Sequence, residues 1–591
     1  MDIFSIITLI GGLAFFLFGM HVMSDNLEKM AGGRLEHLLR RMTANPFISL
    51  ALGAAITVAM QSSSASTVML VGLVNSGIME FSQTINVIFG ANIGTTLTAW
   101  ILSLSGITSE NVFVQMLKPQ NFSPILALVG MLMVMIGKSD RKKSIGNVFV
   151  GFAILMYGME LMKNAVSPLS QMPQFADLMV KFSNPILGVL IGAVFTGIIQ
   201  SSAASVGILQ ALSMTGSISF AVAIPIVMGQ NIGTCVTSLI SSIGTSKSAR
   251  RVAMVHLSLN VIGTIVLLPI LYLLNAFLHF AFLHEMVSPV SIAFIHTAFN
   301  MLITILLMPC SKLIARLAEL IVPDRKNASV VAASEPFLDE RLLSTPSVAI
   351  AECEHKCVIM ANMAKQTIFD AIALFGSYSD KDAEQINADE EMIDLYEDRL
   401  GTYLVQLSGK ALSTGDTNKI SKMLHAIGDF ERLGDHALNL CNSAKEIQEK
   451  RLHFSEEAMQ ELDTLTLALS EILTDAMQAF VTGNLTIASR VEPLEQVIDG
   501  LIETVKLNHI KRLQNGRCTI ELGFILSDLL TNYERVSDHC SNIAVCVIET
   551  SHSSFDTHEY LYQVKHADSS FAEQFQAYFE KYQLPEKKTA E

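Results

Sequence analysis

The chain has 591 residues, of which 50% are hydrophobic and only 16% are charged. Soluble domains usually carry about 25% charged residues, so this composition excludes a wholly soluble protein. Residues 1–310 hold 14 basic and 10 acidic residues, whereas residues 311–591 hold 26 basic and 45 acidic residues. This division predicts a membrane-embedded half followed by an acidic, water-soluble half, and the lack of a basic face argues against nucleic-acid binding.

Seven apolar segments are predicted to cross about 30 Å of hydrocarbon, and the third of them is short for a span. They lie at 3–24, 83–105, 123–137, 145–162, 221–242, 252–275 and 288–309. Two further apolar stretches, 45–79 and 184–220, are interrupted by polar clusters, QSSSAS at 61–66 and QSSAAS at 200–205. A lipid-facing helix would not carry such a cluster at its centre. We therefore expect each stretch to be a re-entrant hairpin of two half-helices that meet at a polar tip.

The membrane half is duplicated, with one repeat at about 1–105 and a second at about 145–245. At a constant offset of 139, residues 45–98 match residues 184–237 at 21 of 54 positions. The loop after the first span carries Lys29, Arg34, Arg40 and Arg41, whereas its counterpart carries only Lys163 and Lys181. Because cytoplasmic loops are enriched in Lys and Arg, the repeats are predicted to be inverted relative to each other. Inverted repeats are typical of alternating-access transporters.

The two tips and the two following segments, GANIGTTLT at 90–98 and GQNIGTCVT at 229–237, form the candidate site. Helix N-termini and serine hydroxyls present hydrogen-bond donors, and the glycines would allow unwound backbone, so the chemistry suits an oxyanion. No Lys or Arg occurs in 45–98 or 184–237. The charge of a buried polyanion would then be balanced by co-bound cations, and the available oxygen ligands suit Na⁺. The alternative is that small polar residues only let the helices pack closely.

The doubled signature of QSS followed by GxNIGT closely resembles the type II sodium–phosphate cotransporter family, over about residues 1–310. The resemblance implies that phosphate is bound by Gln61, Ser62, Ser63, Ser64, Gln200, Ser201 and Ser202. It also implies that Na⁺ is bound by Gln61, Ser66, Asn92, Thr95, Gln200, Ser205, Asn231 and Thr234. Ser64 is matched by Ala203, so a hydroxyl contact available in the first tip is missing from the second.

Two later spans carry His256-x3-Asn260 and His296-x3-Asn300, and the spacing puts each pair on one helical face. Polar side chains inside membrane spans are either functional or join neighbouring helices. We favour hydrogen bonding between the two copies over substrate contact, and a proton relay is the alternative.

The acidic half is predicted to be helical and is also duplicated. Residues 311–345 lack apolar periodicity and are interpreted as a linker, and 551–591 as a C-terminal helical extension and tail. Within 346–550, GDFERLGDHALN at 428–439 matches TNYERVSDHCSN at 531–542, which fits two three-helix bundles. The doubled E-R-x-x-D-H-x-x-N signature resembles the PhoU family of phosphate-signalling proteins, which implies that this domain senses phosphate or regulates transport.

Carboxylate pairs with a spacing of four residues recur in this half. They are Glu390 and Asp394, Glu431 and Asp435, Glu495 and Asp499, and Glu534 and Asp538. Because like charges at this spacing repel, their repetition points to ligands for a hard divalent cation or iron. The PhoU resemblance implies a multinuclear metal cluster on such motifs, and a solvated acidic face is the alternative.

The sequence therefore predicts an all-α fold, namely a polytopic membrane transporter of two inverted-topology repeats with re-entrant hairpins, plus cytoplasmic helical bundles. The expected function is sodium-coupled transport of inorganic phosphate across a bacterial inner membrane, with the N-terminus outside. No Walker A run and no catalytic serine or zinc-protease motif occurs, so we do not expect an enzyme. A phosphate receptor and a transporter of another tetrahedral oxyanion are the alternatives, and the direction of transport stays open. A second copy of the chain and a phosphate-signalling protein are further candidate partners.

Overall fold

The computed structural model describes residues 3–40, 45–77, 79–106, 119–168, 184–323, 338–410, 412–552 and 569–584. The chain divides into two compact units, Met1–Ala349 and Ile350–Glu591. Parts of the predicted 311–345 linker and C-terminal tail, and the loop cations Arg41, Lys181, Arg325 and Lys326, lie outside the described residues.

The described part of the first unit consists mainly of helices. Its described helices are α1 (Ile3–Arg40), α2 (Pro46–Met60), α3 (Ser63–Asn75), α4 (Phe81–Ser103), α5 (Pro119–Ile136), α6 (Asp140–Val166), α7 (Pro185–Ile199), α8 (Ser202–Ser213), α9 (Phe220–Ser241), α10 (Lys247–Leu278), α11 (Pro289–Leu307) and α12 (Ser311–Ile321). Six stretches of the described helices are long and apolar enough to span a membrane. They coincide with six of the seven predicted spans, whereas the segment at 123–137 lies on the shorter helix α5.

The helical structure is interrupted at both predicted tips. Helices α2 and α3 have 15 and 13 residues and are separated by Gln61, whose φ of 52° lies in the left-handed region. Gln200 has a φ of 56° and separates α7 from α8 in the same way. A non-glycine residue in this region of backbone space is strained and clusters at functional sites. The two interrupted helices are therefore confirmed as a repeated structural feature.

Close backbone contacts position each tip against the helix that carries the NIGT segment. A Cβ atom added at Gly90 on α4 would lie only 1.9 Å from the carbonyl oxygen of Leu50 on α2. The equivalent Cβ at Gly229 on α9 would lie 2.0 Å from the carbonyl oxygen of Val189 on α7. Helix axes can approach this closely only where a side chain is absent. The duplication of sequence is thus also a duplication of packing.

The first helices of the two repeats pack against each other. A Cβ atom at Gly19 on α1 would touch the backbone of Leu155 and Gly151 on α6, and a Cβ atom at Gly158 would touch Phe16 and Gly12. Since residue number rises along α1 as it falls along α6, the two helices are antiparallel. The contact between Gly19 and Gly151 is repeated as the contact between Gly158 and Gly12, in which each residue is replaced by its equivalent 139 positions away. This pseudo-two-fold symmetry confirms the predicted inversion of the repeats.

Each half of the second unit contains three long helices. They are α13 (Pro346–Ala373), α14 (Asp380–Ser408) and α15 (Thr414–Lys450), followed by α16 (Glu456–Thr482), α17 (Leu485–Gln514) and α18 (Ile520–His552), and a shorter α19 (Ser569–Lys581). Helices α15 and α18 pack together along the seam between the halves. There His436 Nδ1 lies 2.8 Å from Asn532 Oδ1, and His539 Nδ1 lies 2.9 Å from Asp429 Oδ1. The duplicated signatures therefore face each other.

Candidate functional site

The first tip is tied to α4 by the side chain of Gln61. Its amide nitrogen donates to the carbonyl oxygen of Val58 at 2.7 Å, and its amide oxygen accepts a hydrogen bond from Thr98 Oγ1 at 3.1 Å. Only 8% of Gln61 is exposed. A buried amide bonded at both ends fixes the left-handed turn, and with it the direction of the serines that follow.

Serines form the first turn of α3. Ser62 is the N-cap residue, and its hydroxyl accepts from the backbone N–H of Ala65 at 3.1 Å. Ser63 and Ser64 follow in the first turn and are buried. The first N–H groups of a helix have no partner within the helix and carry a partial positive charge. The tip thus combines backbone donors with three hydroxyl groups.

The second tip repeats this geometry with one change of environment. Ser201 caps α8 and accepts from the N–H of Ala204 at 3.2 Å, and Ser202 is half-buried in the first turn. Gln200 is exposed, whereas Gln61 is buried. The two tips therefore have equivalent backbone conformations but differ in the exposure of their glutamine side chains.

A hydroxyl pair lies behind each tip. Thr57 Oγ1 donates to Ser66 Oγ at 3.0 Å, and Thr196 Oγ1 donates to Ser205 Oγ at 2.7 Å. All four residues are buried. Thr57 and Thr196 are not among the site residues predicted from the sequence, although the two lie 139 residues apart and are identical in the two repeats. That match within the repeat would have found them.

The NIGT segments are helical, so the expectation of unwound backbone there is wrong. Helices α4 and α9 run without interruption through both segments. Thr95 and Thr234 each donate to the carbonyl oxygen four residues earlier, both at 2.9 Å. The glycines of these segments serve close packing against α2 and α7 instead.

A buried amide network lies around the second NIGT segment. Asn231 Oδ1 accepts from Asn300 Nδ2 on α11 at 3.3 Å. Asn260 Nδ2 on α10 donates to Cys235 Sγ at 3.3 Å, and Ser238 Oγ lies 3.4 Å from His256 Nδ1. These hydrogen bonds of the His and Asn pairs join α10 and α11 to α9 of the second copy, rather than joining the two copies.

Several buried polar atoms of the first unit have no hydrogen-bond partner among the described residues. They include four amide oxygens, those of Gln210, Gln230, Asn260 and Asn300, and the nitrogens Asn92 Nδ2 and His296 Nδ1. The side chains that carry the four oxygens are at most 2% exposed. Buried amide oxygens without a donor are costly and rare. They are also the kind of oxygen ligand that a hard cation accepts.

Two of these amides are held in place by their nitrogen atoms. Gln210 Nε2 donates to the carbonyl oxygens of Ala99 on α4 and Pro289 at the start of α11, at 3.0 and 3.1 Å. Gln230 Nε2 donates to the carbonyl oxygen of Ser205 at 3.0 Å. Gln230 thereby connects the second tip to the amide network.

The acidic pairs of the second unit are partly neutralised by neighbouring cations. Arg432 lies 3.4 Å from Glu431 and 3.1 Å from Asp435, Arg535 lies 3.1 Å from Asp538, and Lys506 lies 3.2 Å from Glu534. Burial, together with carboxylates such as those of Asp394 and Asp435, raises the pKa of Glu390 above its ordinary value.

The pKa values of Glu431 and Asp499 rise for the same two reasons. Among the described residues, no three His, Cys, Asp or Glu side chains are placed to hold a metal ion. In this geometry Glu390, Asp394, Glu431 and Asp435, and likewise Glu495, Asp499, Glu534 and Asp538, do not fit the implied metal cluster.

Inverted repeats with helix N-termini at paired polar tips define a multi-pass membrane protein of the secondary-transporter class. Residues 15–164 and 169–287 match the family model described as Na+/Pi-cotransporter. Residues 358–444 and 463–547 match the PhoU domain. The first half of the chain therefore matches the Na+/Pi-cotransporter family, and the second half matches the PhoU domain.

Individual proteins are also similar to this chain. The chain is 25% identical over 568 residues to a protein of Salmonella typhimurium named "Putative inorganic phosphate export protein YjbB", and the match covers 94% of this chain and 100% of that protein. Over 112 residues it is 34% identical to the sodium-dependent phosphate transport protein 2B of Homo sapiens, with 18% of this chain and 16% of that protein covered. The crystal structure of PhoU from Pseudomonas aeruginosa matches 34% of this chain and 97% of that chain, at 19% identity and a TM-score of 0.33.

Proposed function

We propose that the chain is a sodium-coupled secondary transporter of inorganic phosphate that works by alternating access and is regulated by its PhoU domain. The observation that carries this proposal is the pair of inverted tips, each a capped helix N-terminus with serines in its first turn. Phosphate would be bound by Gln61, Ser62, Ser63 and Ser64 from one repeat and by Gln200, Ser201 and Ser202 from the other. Backbone N–H groups and hydroxyls are the donors that a tetrahedral oxyanion needs.

The sodium part of the proposal follows from charge. The two tips hold no Lys or Arg, and a helix N-terminus supplies only about half a charge. Co-bound Na⁺ would balance the rest, on oxygen atoms of Gln61, Ser66, Asn92, Thr95, Gln200, Ser205, Asn231 and Thr234. The amide oxygens of Gln230 and Asn300 adjoin this set and have no hydrogen-bond partner among the described residues, which supports a cation site there.

The two tips would not contribute equally. Ala203, which replaces the third serine, is 8% exposed and brings no hydroxyl to the second tip. Gln61 is buried and Gln200 exposed. We therefore expect the first tip to provide more of the hydrogen bonds to phosphate.

The membrane and the direction of transport complete the proposal. We infer a location in the bacterial inner membrane, with the N-terminus outside and the second unit in the cytoplasm, because the basic residues Lys29, Lys138, Arg141 and Lys247 lie near span ends on the side predicted to be cytoplasmic. A relative that matches the full length is named for phosphate export, which favours release of phosphate from the cell. The proposal includes no metal cluster in the PhoU domain, because no three His, Cys, Asp or Glu side chains of the described residues are placed to hold a metal ion.

Transport by purified protein in proteoliposomes tests the proposal. Labelled phosphate should cross the membrane in exchange for internal phosphate and in response to a Na⁺ gradient. A Ser62→Ala/Ser201→Ala double variant should lose at least about 1.4 kcal/mol of binding, or tenfold in apparent affinity, because two hydroxyl contacts are removed. The control is Ser82→Ala, a serine at the exposed start of α4.

The outcomes separate the alternatives. Binding without exchange would identify a phosphate receptor. Stronger competition by sulfate than by phosphate would identify another oxyanion as the substrate. Exchange that is indifferent to Na⁺ would reject the sodium part, and an unimpaired double variant would reject the assigned tips.

A further inference from the structure

A short segment at the end of the first unit, just before the second unit begins, packs against the helices of the first unit. Residues 338–345, the strap, contain one helical turn, Glu340–Ser344, capped by Asp339. Asp339 is 1% exposed and Leu342 is fully buried. A carboxylate is rarely buried to this degree unless it is paired and hydrogen-bonded. The strap is therefore a specific contact, although the sequence predicts only a linker there.

Polar contacts bind the strap to the end of α3. Asn75 Nδ2 donates to Asp339 Oδ2 at 2.6 Å, and Asn75 Oδ1 accepts from the backbone N–H of Ser246 at 2.8 Å. Asn75 is itself 4% exposed. The amide of Asn75, the last residue of α3, thus binds both the strap and the N-cap residue of α10.

Arg341 binds the end of α9. Its Nε donates to the carbonyl oxygen of Ser241 at 2.6 Å, and a terminal nitrogen donates to that of Ile243 at 3.0 Å. The other terminal nitrogen lies 3.2 Å from Asp339 Oδ1. Carbonyl groups at a helix C-terminus lack partners within the helix and carry a partial negative charge, which a guanidinium satisfies.

Leu342 fills the space above a glycine. A Cβ atom added at Gly72 on α3 would lie 2.8 Å from Leu342 Cδ2. Any larger residue at this position would require the Leu342 side chain to shift. The glycine, the amide and the carbonyl groups together form a surface that fits this one segment.

The strap bridges the two inverted repeats. Gly72 and Asn75 belong to the first repeat, whereas Ser241 ends the second and Ser246 follows it. The residues 139 positions after Gly72 and Asn75 are Ala211 and Met214, so the surface is not duplicated. Alternating access requires the two repeats to move against each other. A segment bonded to both therefore restrains that movement.

We propose that the strap is a lock across the two repeats and that the PhoU domain regulates transport by pulling or releasing it. The chain continues directly from Thr345 into α13, so a change in the second unit reaches the strap through covalent bonds. This proposal rests on the proposed transport function. It assigns to Asn75, Asp339, Arg341 and Leu342 a role in gating, with no contact to phosphate.

Locking the strap is the first test. In a Gly72→Cys/Leu342→Cys variant the new thiols occupy the space that Leu342 leaves, and oxidation of the full chain in proteoliposomes should join them. We expect phosphate exchange to fall at least tenfold on oxidation and to recover on reduction. The two single variants are the controls, and mass spectrometry of the joined peptides measures the extent of cross-linking. Unchanged exchange with the cross-link complete would overturn the proposal.

Releasing the strap is the second test, and its readout needs no transport. Ser76, beside Asn75, is 9% exposed. A Ser76→Cys variant should react slowly with a water-soluble maleimide, and Asp339→Ala or Arg341→Met should speed that reaction at least fivefold. Glu340→Gln, an exposed carboxylate next to Asp339, is the matched control and should leave the rate unchanged.

The two readouts separate the two proposals. If the wild-type chain exchanges no phosphate, the transport function fails, while the labelling rates still report on the strap. If the Ser76→Cys variant is labelled equally fast with Asp339→Ala, with Arg341→Met and with the unaltered strap, the lock is refuted.

Discussion

The hydroxyl pairs behind the tips give the sharpest prediction, because the repeat offers two versions of one contact. Thr57→Val and Thr196→Val each remove a donor to the serine that we assign to Na⁺, and leave the side-chain shape nearly unchanged. Ser66 Oγ also donates to the carbonyl oxygen of Ser62 at 2.9 Å. Among the described residues, Ser205 Oγ is bonded only to Thr196, at 2.7 Å.

The magnitudes follow from these contacts. Loss of one ordinary hydrogen bond costs about 1 kcal/mol, whereas a buried group left without its partner costs about 1–3 kcal/mol. Thr57→Val should therefore raise the Na⁺ concentration for half-maximal phosphate exchange about fivefold, and Thr196→Val about thirtyfold, at about 1.4 kcal/mol per tenfold.

The assay is phosphate exchange in proteoliposomes across a series of Na⁺ concentrations. Thr57→Ser and Thr196→Ser keep the hydroxyl and should restore Na⁺ dependence close to the wild type. Valine and serine variants with the same half-saturation would refute the assignment of these hydroxyls. Equal effects at the two positions would refute the reasoning from Ser62.

Three further predictions concern packing, the amide network and pH. Gly90→Ala and Gly229→Ala should each destabilise the fold by about 3 kcal/mol or more, since the added Cβ would lie within 2.0 Å of a carbonyl oxygen. The yield of monodisperse protein should fall accordingly. The control is Gly11→Ala, whose Cβ would have no atom within 4 Å and should leave the yield unchanged. Asn300→Leu should raise the Na⁺ half-saturation about tenfold by removing an amide oxygen without a hydrogen-bond partner among the described residues, and normal Na⁺ dependence would exclude α11 from the site. Burial raises the pKa of Glu352 to about 7, so its ionisation destabilises the fold as the pH rises from about 4.5 to about 7. Glu352→Gln should therefore raise the calorimetric Tm of the second unit at about pH 8 and leave it unchanged at about pH 4, whereas an equal shift at both pH values would contradict this.

The fold could be predicted where a local pattern determines it. Apolar runs of about 20 residues indicate membrane spans, and the QSS clusters could not lie in the middle of a lipid-facing helix. The distribution of Lys and Arg between the loops predicted that the two repeats are inverted, and the antiparallel contacts of Gly19 and Gly158 confirm it. The NIGT glycines were misread, because a glycine that permits unwinding and a glycine that permits close helix packing have the same local sequence signal.

The strap could not be predicted, because its contacts are long-range. Asn75 and Asp339 are 264 residues apart, and neither stands in a repeated motif. Nothing local distinguishes a buried Asp339 from a solvated linker carboxylate. Thr57 and Thr196 are unlike the strap residues, because their identity in the two repeats could be read from the sequence. They were still not predicted, because a threonine inside an apolar helix more often bonds its own backbone.

Departures from the duplication indicate where the two repeats have different tasks. If the two repeats had identical roles in transport, their contacts would be expected to stay equivalent. The glycines and the Thr–Ser pairs do have equivalent contacts in both repeats. Gln230, which links the second tip to the amide network, is matched by Ala91, and Asn75, which holds the strap, is matched by Met214. The cation ligands would then be concentrated beside the second repeat and the regulatory contact on the first. A Met214→Asn variant adds an asparagine at the equivalent position of the second repeat, which the strap does not contact, and should therefore leave phosphate exchange unchanged. Asn75→Met should release the strap, as Asp339→Ala does.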